Sequence, residues 1–167
     1  MTKQKLVEYG DPMLRKVSSR VIKFDKSLRK LVEDMFETMY ANDGIGLAAP
    51  QIGVSKKVIV LDVDYPTKRY MNEQTKKEEV VYSSIVMINP VIIKKDGQLV
   101  SKEGCLSFPN VIINVIRSEE ITAKYQDLLG KERLITTKGD LLCRCIQHEI
   151  DHLDGKLLLT KQQVIQM

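Results

Sequence analysis

Two histidines and a glutamate in one short segment carry the clearest chemistry in the chain. Residues 148–152 read His-Glu-Ile-Asp-His, and His148 and His152 are the only histidines among the 167 residues. Residues four apart lie on one face of an α-helix, so both imidazoles can reach one metal ion. Glu149 lies beside that pair, where a carboxylate can act as general base on water at the metal. The pattern therefore predicts a metal site with hydrolytic chemistry.

Hydrophobic periodicity predicts the helix that positions these residues. Successive residues of a helix are rotated by about 100°, so four residues fall within about 60° of His148 on the same face. They are Leu141, Arg144, Cys145 and His152. The far side is an apolar stripe of Leu142, Ile146, Ile150 and Leu153. Such a helix is expected to be buried, with its polar face lining a cleft. Gly139-Asp140 precede it, and Asp154-Gly155 form a common helix stop.

A third ligand is expected elsewhere, because a catalytic zinc or iron site takes three protein ligands and keeps one position open. Cys105 follows a predicted strand and precedes the bend at Pro109, where a thiolate can face a cleft. Cys145 competes, since it lies on the same helix face as His148, one turn earlier. A rigid helix would hold three ligands in a column rather than around the metal, so we favour Cys105.

The rest of the chain predicts an N-terminal helix followed by antiparallel strands. Asp11-Pro12 opens a short helix, and Asp25 or Ser27 opens a longer one that ends near Ala41. Strands are predicted at 57–63, 84–89, 91–94, 98–102, 112–116, 121–126, 132–137 and, weakly, 157–159, with a loop or irregular hairpin at 64–79. Hairpin turns are predicted at Asp96-Gly97 and at 127–130. The fold class is therefore α+β, with antiparallel strands packed around the C-terminal HExxH helix.

The segment Gly44–Gln51 is small, apolar and uncharged. Its glycines, Gly44 and Gly46, would let the backbone approach another chain or a ligand closely. A buried turn between a helix and a sheet explains the same composition equally well. Residue chemistry alone leaves both interpretations open.

Composition fits one soluble domain that spans residues 1–167. Hydrophobic residues make up 43% of the chain and charged residues 29%, as in ordinary globular proteins. No apolar run is long enough to cross a membrane, no apolar signal segment is visible, and three cysteines make no disulfide framework. We therefore expect a cytoplasmic protein. The net charge of +4 permits attraction to a polyanion without arguing for one, and no nucleic-acid motif is visible.

Three segments, taken together, resemble the signature motifs of the peptide deformylases. They are 44–51 (GIGLAAPQ), 103–107 (EGCLS) and 147–153 (QHEIDHL), and the resemblance extends from Asp11 to Leu159. It implies an α+β fold around the HExxH helix. It also implies a hydrolase that removes the formyl group from the N-terminal formyl-methionine of newly made polypeptides and releases formate.

The resemblance also implies a role for each residue that matches a motif. Metal ligands would be Cys105, His148 and His152, and Glu149 would shuttle the proton. The oxyanion would be held by the Gln51 amide and the backbone N–H of Leu106. Substrate-binding residues would be Ile45, Gly46, Gly104, Leu141, Arg144 and Cys145, with the peptide bound as an added strand. The metal would be Fe²⁺, one per chain, which Zn²⁺, Ni²⁺ or Co²⁺ can replace in isolated protein.

Two positions depart from the family pattern. Arg144 stands where the family usually has an apolar residue in the methionine pocket, and Ile112 stands near a position that is often basic. The chain also stops soon after the HExxH helix, which leaves docking on the ribosome near the exit tunnel open. Glu103 and Arg117 are expected to pair behind Cys105.

Two other functions use some of the same residues. A zinc endopeptidase shares the HExxH segment but usually takes its third ligand from a downstream His or Glu. An inactive relative would be a metal-stabilised binding module, and the intact Gln51 and Glu149 argue against it.

Overall fold

The protein has an α+β architecture in which helices cover both faces of an antiparallel sheet. The computed structural model describes residues 3–64, 69–71, 73–80 and 84–158. In chain order its elements are a 3₁₀-helix at Pro12–Arg15, α1 at Lys26–Ala41, β1 at Gly46–Ala48, a 3₁₀-helix at Ala49–Ile52, β2 at Val58–Leu61, β3 at Arg69–Met71, β4 at Glu78–Val80, β5 at Ile85–Asp96, β6 at Leu99–Cys105, β7 at Phe108–Arg117, β8 at Glu120–Gln126, β9 at Glu132–Lys138 and α2 at Leu141–Leu153.

Within the described ranges, the main sheet has five antiparallel strands in the order β1-β2-β5-β8-β9, and β3–β4 and β6–β7 form separate hairpins. Side chains of β2 alternate between two cores. Ile59 and Leu61 pack with the apolar stripe of α2, whereas Val58 and Val60 pack with α1. All four are fully buried. The sheet therefore supports α2 on one face and α1 on the other.

Both helices begin where the capping residues predict. The Asp25 carboxylate accepts from the Leu28 N–H at 3.1 Å, and the Asp140 carboxylate accepts from the Cys143 N–H at 2.7 Å. A side chain that satisfies a free N–H in the first turn stabilises a helix by about 1 kcal/mol. The predicted end of α2 is also confirmed, because Gly155 adopts the left-handed conformation after the last turn.

Pro90 does not interrupt the strand as the sequence suggests. β5 continues through it by way of a register shift between Ile88 and Val91. Asn89 has a left-handed backbone there. Its side-chain Oδ1 accepts a hydrogen bond from the Val21 N–H at 2.8 Å, and its Nδ2 donates to the Val21 carbonyl at 2.9 Å. A bulge of this kind accommodates a proline, because the unpaired position needs no N–H.

The prediction of a hairpin at Asp96-Gly97 is wrong. β5 pairs with β8 up to Asp96–Glu120, while β6 pairs with β7 from Leu99 onward. Since β8 occupies the hydrogen-bonding edge of β5, the turn carries the chain out of the main sheet into a second one. This crossover brings the Cys105 end of β6 toward α2. The hairpin between β8 and β9 forms as predicted.

The strand weakly predicted at 157–159 is also not found at the two residues of this segment that the structure describes. Leu157 and Leu158 are buried but form no strand, and Leu159 lies outside the described residues. Leu157 packs instead with Leu14 and Phe108 in a small core at the chain's N-terminal side. The loop or hairpin expected at 64–79 contains the β3–β4 pairing.

Two glycines in the left-handed conformation provide a matched stability test. Gly139→Ala should destabilise by about 1–2 kcal/mol, the backbone cost for alanine, because nothing lies within 4 Å of the added methyl. Gly155→Ala has the same backbone cost, but its methyl would overlap the Arg15 carbonyl. The free energy of unfolding of this variant should fall by a further 1–3 kcal/mol, roughly the cost of overpacking. Urea unfolding of both variants measures this, and equal losses would contradict the close packing at Gly155.

Candidate active site

The HExxH segment and Cys105 meet where the end of β6 lies against α2. Cys105, His148 and His152 each offer one ligand atom, and these atoms all lie within 4.8 Å of one another. The Cys105 Sγ lies 3.3 Å from the His152 Nε2. Both histidines and the neighbouring Glu149 are buried. One sulfur and two imidazole nitrogens form a donor set that suits zinc or iron.

Cys145 is buried and does not belong to this group of three donor atoms. Its Sγ faces the Ile45 carbonyl at 3.9 Å, on the side of α2 that meets β1. Burial, with the nearby Glu149 charge, raises the pKa of the Cys145 thiol well above its ordinary value. A protonated thiol is a poor metal ligand. The geometry therefore favours Cys105 as the third donor, in line with the sequence argument.

A chain of buried charges orients His148. Its Nδ1 lies 2.9 Å from Glu103 Oε1, and Arg117 donates to both oxygens of Glu103 at 2.8 and 2.6 Å. Arg117 also donates to Asp151, one turn along α2. Burial alone would raise the pKa of Glu103, but the bonds from Arg117 and His148 lower it to about 2. The expected Glu103–Arg117 pair forms, and its carboxylate supports His148 rather than Cys105.

The electrostatics of the donor group favour a positive charge. Burial lowers the pKa of His148, but hydrogen bonds to Cys105 and Glu103 outweigh it and raise the pKa to about 10. Burial and the neighbouring His148 lower the pKa of His152 well below its ordinary value, so its imidazole is neutral. A cation bound here would take the place of the His148 proton, as metal binding commonly does. The donor group therefore fits a cation in charge as well as in geometry.

Glu149 places a carboxylate at the cavity with one oxygen free. Its Oε2 is buried and has no hydrogen-bond partner among the described residues. Burial raises the pKa of Glu149 to about 7, although the nearby His148 acts in the opposite direction. A buried carboxylate oxygen without a partner is costly unless water or a ligand completes it.

Gln51 points an amide donor toward the same place. Its Oε1 accepts from the Ala48 N–H at 2.9 Å, which sets the orientation of the amide. Its Nε2 then faces Ser107 Oγ at 3.2 Å and Cys105 Sγ at 3.5 Å. The side chain is 1% exposed. A rigid donor of this kind suits an oxyanion that develops near the sulfur.

Gly46 shows how closely segment 44–51 packs against α2. A Cβ at this position would lie 2.7 Å from Cys145 Sγ and 2.8 Å from Glu149 Oε1. β1 can therefore lie against α2 only without a side chain at Gly46. The segment is buried, but it forms β1 and a 3₁₀-helix rather than a turn, and the close approach it makes is to α2 of the same chain.

A cavity of about 640 Å³ opens beside these groups. Of the residues predicted to act at the site, those that line it are Ile45, Gly46, Gln51, Gly104, Cys105, Leu106, Leu141, Arg144, Cys145, His148 and Glu149. His152 lies behind the rim, where it contacts Cys105. The half-buried Arg144 turns its Nε back to the Asp140 carbonyl at 3.3 Å, so its stem forms part of the wall. Ile112, 65% exposed, lies at the mouth.

Sequence reasoning missed several residues that contribute to the site. Glu8, Asp43 and Asn110 also line the cavity, and Asp151 completes the pairing of Arg117. Helical spacing could have found Asp151, since it lies three residues after His148. Glu8, Asp43 and Asn110 carry no comparable signal in the sequence.

Comparison with known proteins agrees with this geometry. The family model for polypeptide deformylase matches residues 3–166. The chain belongs to the polypeptide deformylase family. It is 44% identical over 159 residues to the peptide deformylase of Endomicrobium trichonymphae, which covers 95% of this chain and 86% of that protein.

Solved peptide deformylases share the fold. The Legionella pneumophila enzyme superposes with a TM-score of 0.83 at 41% identity, over 95% of this chain and 85% of that one. The Thermotoga maritima enzyme superposes with a TM-score of 0.85 at 36% identity, over 99% of this chain and 100% of that one. The protein is therefore a peptide deformylase by family, a hydrolase that removes the N-formyl group from newly made polypeptides. None of the described helices is long and apolar enough to cross a membrane.

The contact between Glu103 and His148 leads to a test of metal affinity. Glu103→Gln keeps an acceptor for the imidazole but removes the charge that orients and polarises it. We expect metal to bind about 10- to 100-fold more weakly, as for other partners of ligand histidines. Competition with a chelating dye measures this. The control is Glu120→Gln, a surface carboxylate 3.9 Å from Lys138. Equal affinities for both variants would show that Glu103 does not support the ligand.

Proposed function

We propose that residues 1–167 form a single catalytic domain in which Cys105, His148 and His152 hold one Fe²⁺ and Glu149 moves the protons of deformylation. The observation that carries this proposal is the approach of the three donor atoms to within 4.8 Å at the wall of the cavity. When bound, a divalent ion supplies Lewis acidity, which makes water a better nucleophile near neutral pH. Zn²⁺, Ni²⁺ and Co²⁺ accept the same donors and can replace Fe²⁺.

Glu149 and Gln51 have separate tasks in the proposed reaction. Glu149 Oε2 takes a proton from the attacking water as the water oxygen bonds to the formyl carbon. The Gln51 Nε2 and the Leu106 N–H donate to the oxygen on which negative charge develops, and one such donor typically contributes about 3–4 kcal/mol. Glu149 then delivers the proton to the leaving nitrogen as the C–N bond breaks. The products are formate and a free methionine amine.

The cavity walls supply the binding surfaces for a formylated peptide. We propose that its backbone lies between β1 and the end of β6, beside Gly46 and Gly104, where no side chain intervenes. The methionine side chain would then occupy the pocket formed by Leu141, Arg144 and Cys145 on α2. The partners are N-formylmethionyl nascent polypeptides, met near the ribosomal exit tunnel. A cytoplasmic location is supported by three free cysteines.

Formate release tests the proposed activity directly. Iron-loaded protein, kept anaerobic, is given a formyl-Met tripeptide and the same peptide without the formyl group. Deformylation predicts formate and an intact peptide from the first substrate only. A zinc endopeptidase would cleave an internal bond in either peptide. Peptide-bond cleavage without formate would overturn the proposal, as would the absence of both products.

Glu149→Gln separates proton transfer from metal binding. The amide keeps the shape of the side chain but cannot take a proton, so turnover should fall by about 100- to 10,000-fold. Metal content should stay at the wild-type level, because no ligand is changed. Glu33→Gln, on the exposed side of α1, is the matched control and should retain full turnover. Near-normal turnover by the Glu149 variant would exclude this residue as the proton carrier.

A pair of cysteine variants identifies the third ligand. Cys105→Ser should lower metal content and change metal preference, because a hydroxyl is a harder and weaker donor than a thiolate. Cys145→Ser should keep its metal, since Cys145 Sγ faces the Ile45 carbonyl. Metal analysis after gel filtration distinguishes the two. The opposite pattern would assign the ligand to Cys145.

A further inference from the structure

Ser101, in β6, has a buried hydroxyl without a hydrogen-bond partner. The residue is 1% exposed, and its Oγ bonds to no group among the described residues. Buried polar groups are usually hydrogen-bonded, because an unpaired group loses its bonds to water and gains nothing in return. The location of such a group decides whether a bound molecule can satisfy it.

The cavity distinguishes this hydroxyl from other unpaired groups. Among the buried side-chain atoms without a partner in the described ranges, two belong to residues that line the active-site cavity. One is Glu149 Oε2, to which the proposed reaction gives the task of proton transfer. The other is Ser101 Oγ, which has no task in that reaction. Because Ser101 is a wall residue, a molecule that fills the cavity can become its hydrogen-bond partner.

The contacts of β6 with α2 show which way Ser101 faces. Alternate residues of a strand point to one side, so Ser101 shares its side with Glu103 and Cys105. Glu103 contacts His148, and the next residue on that side, Cys105, contacts His152. The strand and the helix therefore run side by side in the same direction. Ser101 faces the part of α2 that precedes His148.

That part of α2 forms the proposed pocket for the methionine side chain. Two strand residues span about 6.6 Å, and one helical turn rises about 5.4 Å. The step from Glu103 back to Ser101 therefore matches one turn back from His148. This turn carries Arg144 and Cys145, and both line the same cavity as Ser101. The serine hydroxyl thus belongs to the wall opposite these two residues.

Arg144 supplies a second donor to this pocket. Its Nε donates to the Asp140 carbonyl at 3.3 Å, and it takes part in no salt bridge within the described part of the chain. The N–H groups on its two terminal nitrogens are not used by that bond. Helical side chains lean toward the N-terminus of their helix, so the guanidinium lies at the outer end of the pocket. The pocket therefore offers one neutral and one charged donor.

We propose that Ser101 and Arg144 fit the pocket to oxidised methionine, so that the enzyme also deformylates polypeptides that begin with formyl-methionine sulfoxide. This rests on the proposed function, which makes methionine the first residue of the substrate. The thioether sulfur of methionine is a weak acceptor, so it satisfies the serine hydroxyl poorly. Oxidation adds a polar S=O oxygen to the same side chain, and that oxygen can accept from Ser101. The bond broken at the formyl group and the products of hydrolysis stay the same.

The two parts of the sulfoxide side chain match two parts of the pocket. Its methylene groups are apolar, as are the Leu141 side chain and the stem of Arg144. Its oxygen is a hydrogen-bond acceptor, which suits the Ser101 hydroxyl and the guanidinium. A purely aliphatic side chain would instead bury the hydroxyl against carbon and leave it unpaired, which is unfavourable.

Chirality gives the proposal a specific signature. The sulfur of methionine sulfoxide is a stereocentre, so the two epimers direct their oxygen to different sides of the pocket. Ser101 is buried on a strand that pairs with β7, so its hydroxyl has a fixed place. One epimer should therefore be the better substrate. A pocket that only tolerated polarity would accept both epimers equally.

Formate release from matched tripeptides tests the proposal. Metal-loaded protein is given formyl-Met-Ala-Ser, the two separated sulfoxide epimers of that peptide, and formyl-norleucine-Ala-Ser, which has an aliphatic side chain of the same length. One epimer should have a kcat/KM within about tenfold of the formyl-Met peptide and about tenfold above the other epimer.

A pair of serine variants assigns this selectivity to one hydroxyl. Ser101→Ala should lower the kcat/KM of the better epimer relative to the norleucine peptide by about tenfold, and should make the epimers equal. Ser18→Ala is the matched control, because Ser18 is 3% exposed and its Oγ is also unpaired, but it does not line the cavity. It should keep every wild-type ratio. Arg144→Leu should lower the kcat/KM of both epimers relative to the norleucine peptide.

Three results would overturn the proposal. One is formate release by wild type from the formyl-Met peptide but from neither sulfoxide epimer. Another is equal kcat/KM for the two epimers in wild type. The third is identical ratios for Ser101→Ala and Ser18→Ala.

A binding measurement separates this proposal from the proposed activity. The unformylated tripeptides, with methionine or with either sulfoxide epimer, are titrated into metal-loaded protein and followed by NMR. If no formylated peptide released formate, the proposed activity would fail. Binding of one sulfoxide epimer that is lost in Ser101→Ala would still support the pocket. Equal binding of both epimers, or of neither, would overturn it as well.

Discussion

The buried guanidinium of Arg117 is the interaction on which the arrangement of the site depends. From β7 it donates to both oxygens of Glu103 on β6 and to Asp151 on α2, with its side chain only 2% exposed. A charge in that position is tolerable only while its partners surround it, because removing one partner leaves an uncompensated buried ion. The β6–β7 hairpin, which carries Cys105, is thus tied to the helix that carries the two histidines. Glu103 extends the same pairing to the His148 ring.

The main sheet imposes the second constraint, because it must be covered on both faces. β2 directs alternate side chains into the cores of α1 and α2, and this places β1 directly against the catalytic helix. The contact is possible because Gly46 has no side chain to collide with Glu149. An edge strand held this close exposes backbone at the cavity, where an extended peptide can be hydrogen-bonded. Packing in the core therefore determines how closely β1 and α2 approach at the wall of the cavity.

Charge is distributed over the molecule according to burial. Inside, Glu103 is the specific partner of both Arg117 and His148, and these contacts shift the pKa values of Glu103 and His148. Outside, exposed lysines such as Lys94 and Lys95 need no fixed partner, because water screens their charge. The buried arrangement therefore orients the residues of the site, whereas the exposed charges are solvated.

The sequence by itself indicated the chemistry, the bounds of both helices and the presence of most strands, although β1 was not predicted and β5 and β7 are longer than predicted. His148, Glu149 and His152 lie within five residues, and helical periodicity, capping and turn signals are all local. It could not decide between Cys105 and Cys145 with the same force, because that choice depends on which sulfur the sheet brings to the histidines. The partner of β5 was predicted wrongly for a related reason. Strand pairing and buried ion pairs join residues far apart in the chain, and only the tertiary structure decides which distant groups become neighbours.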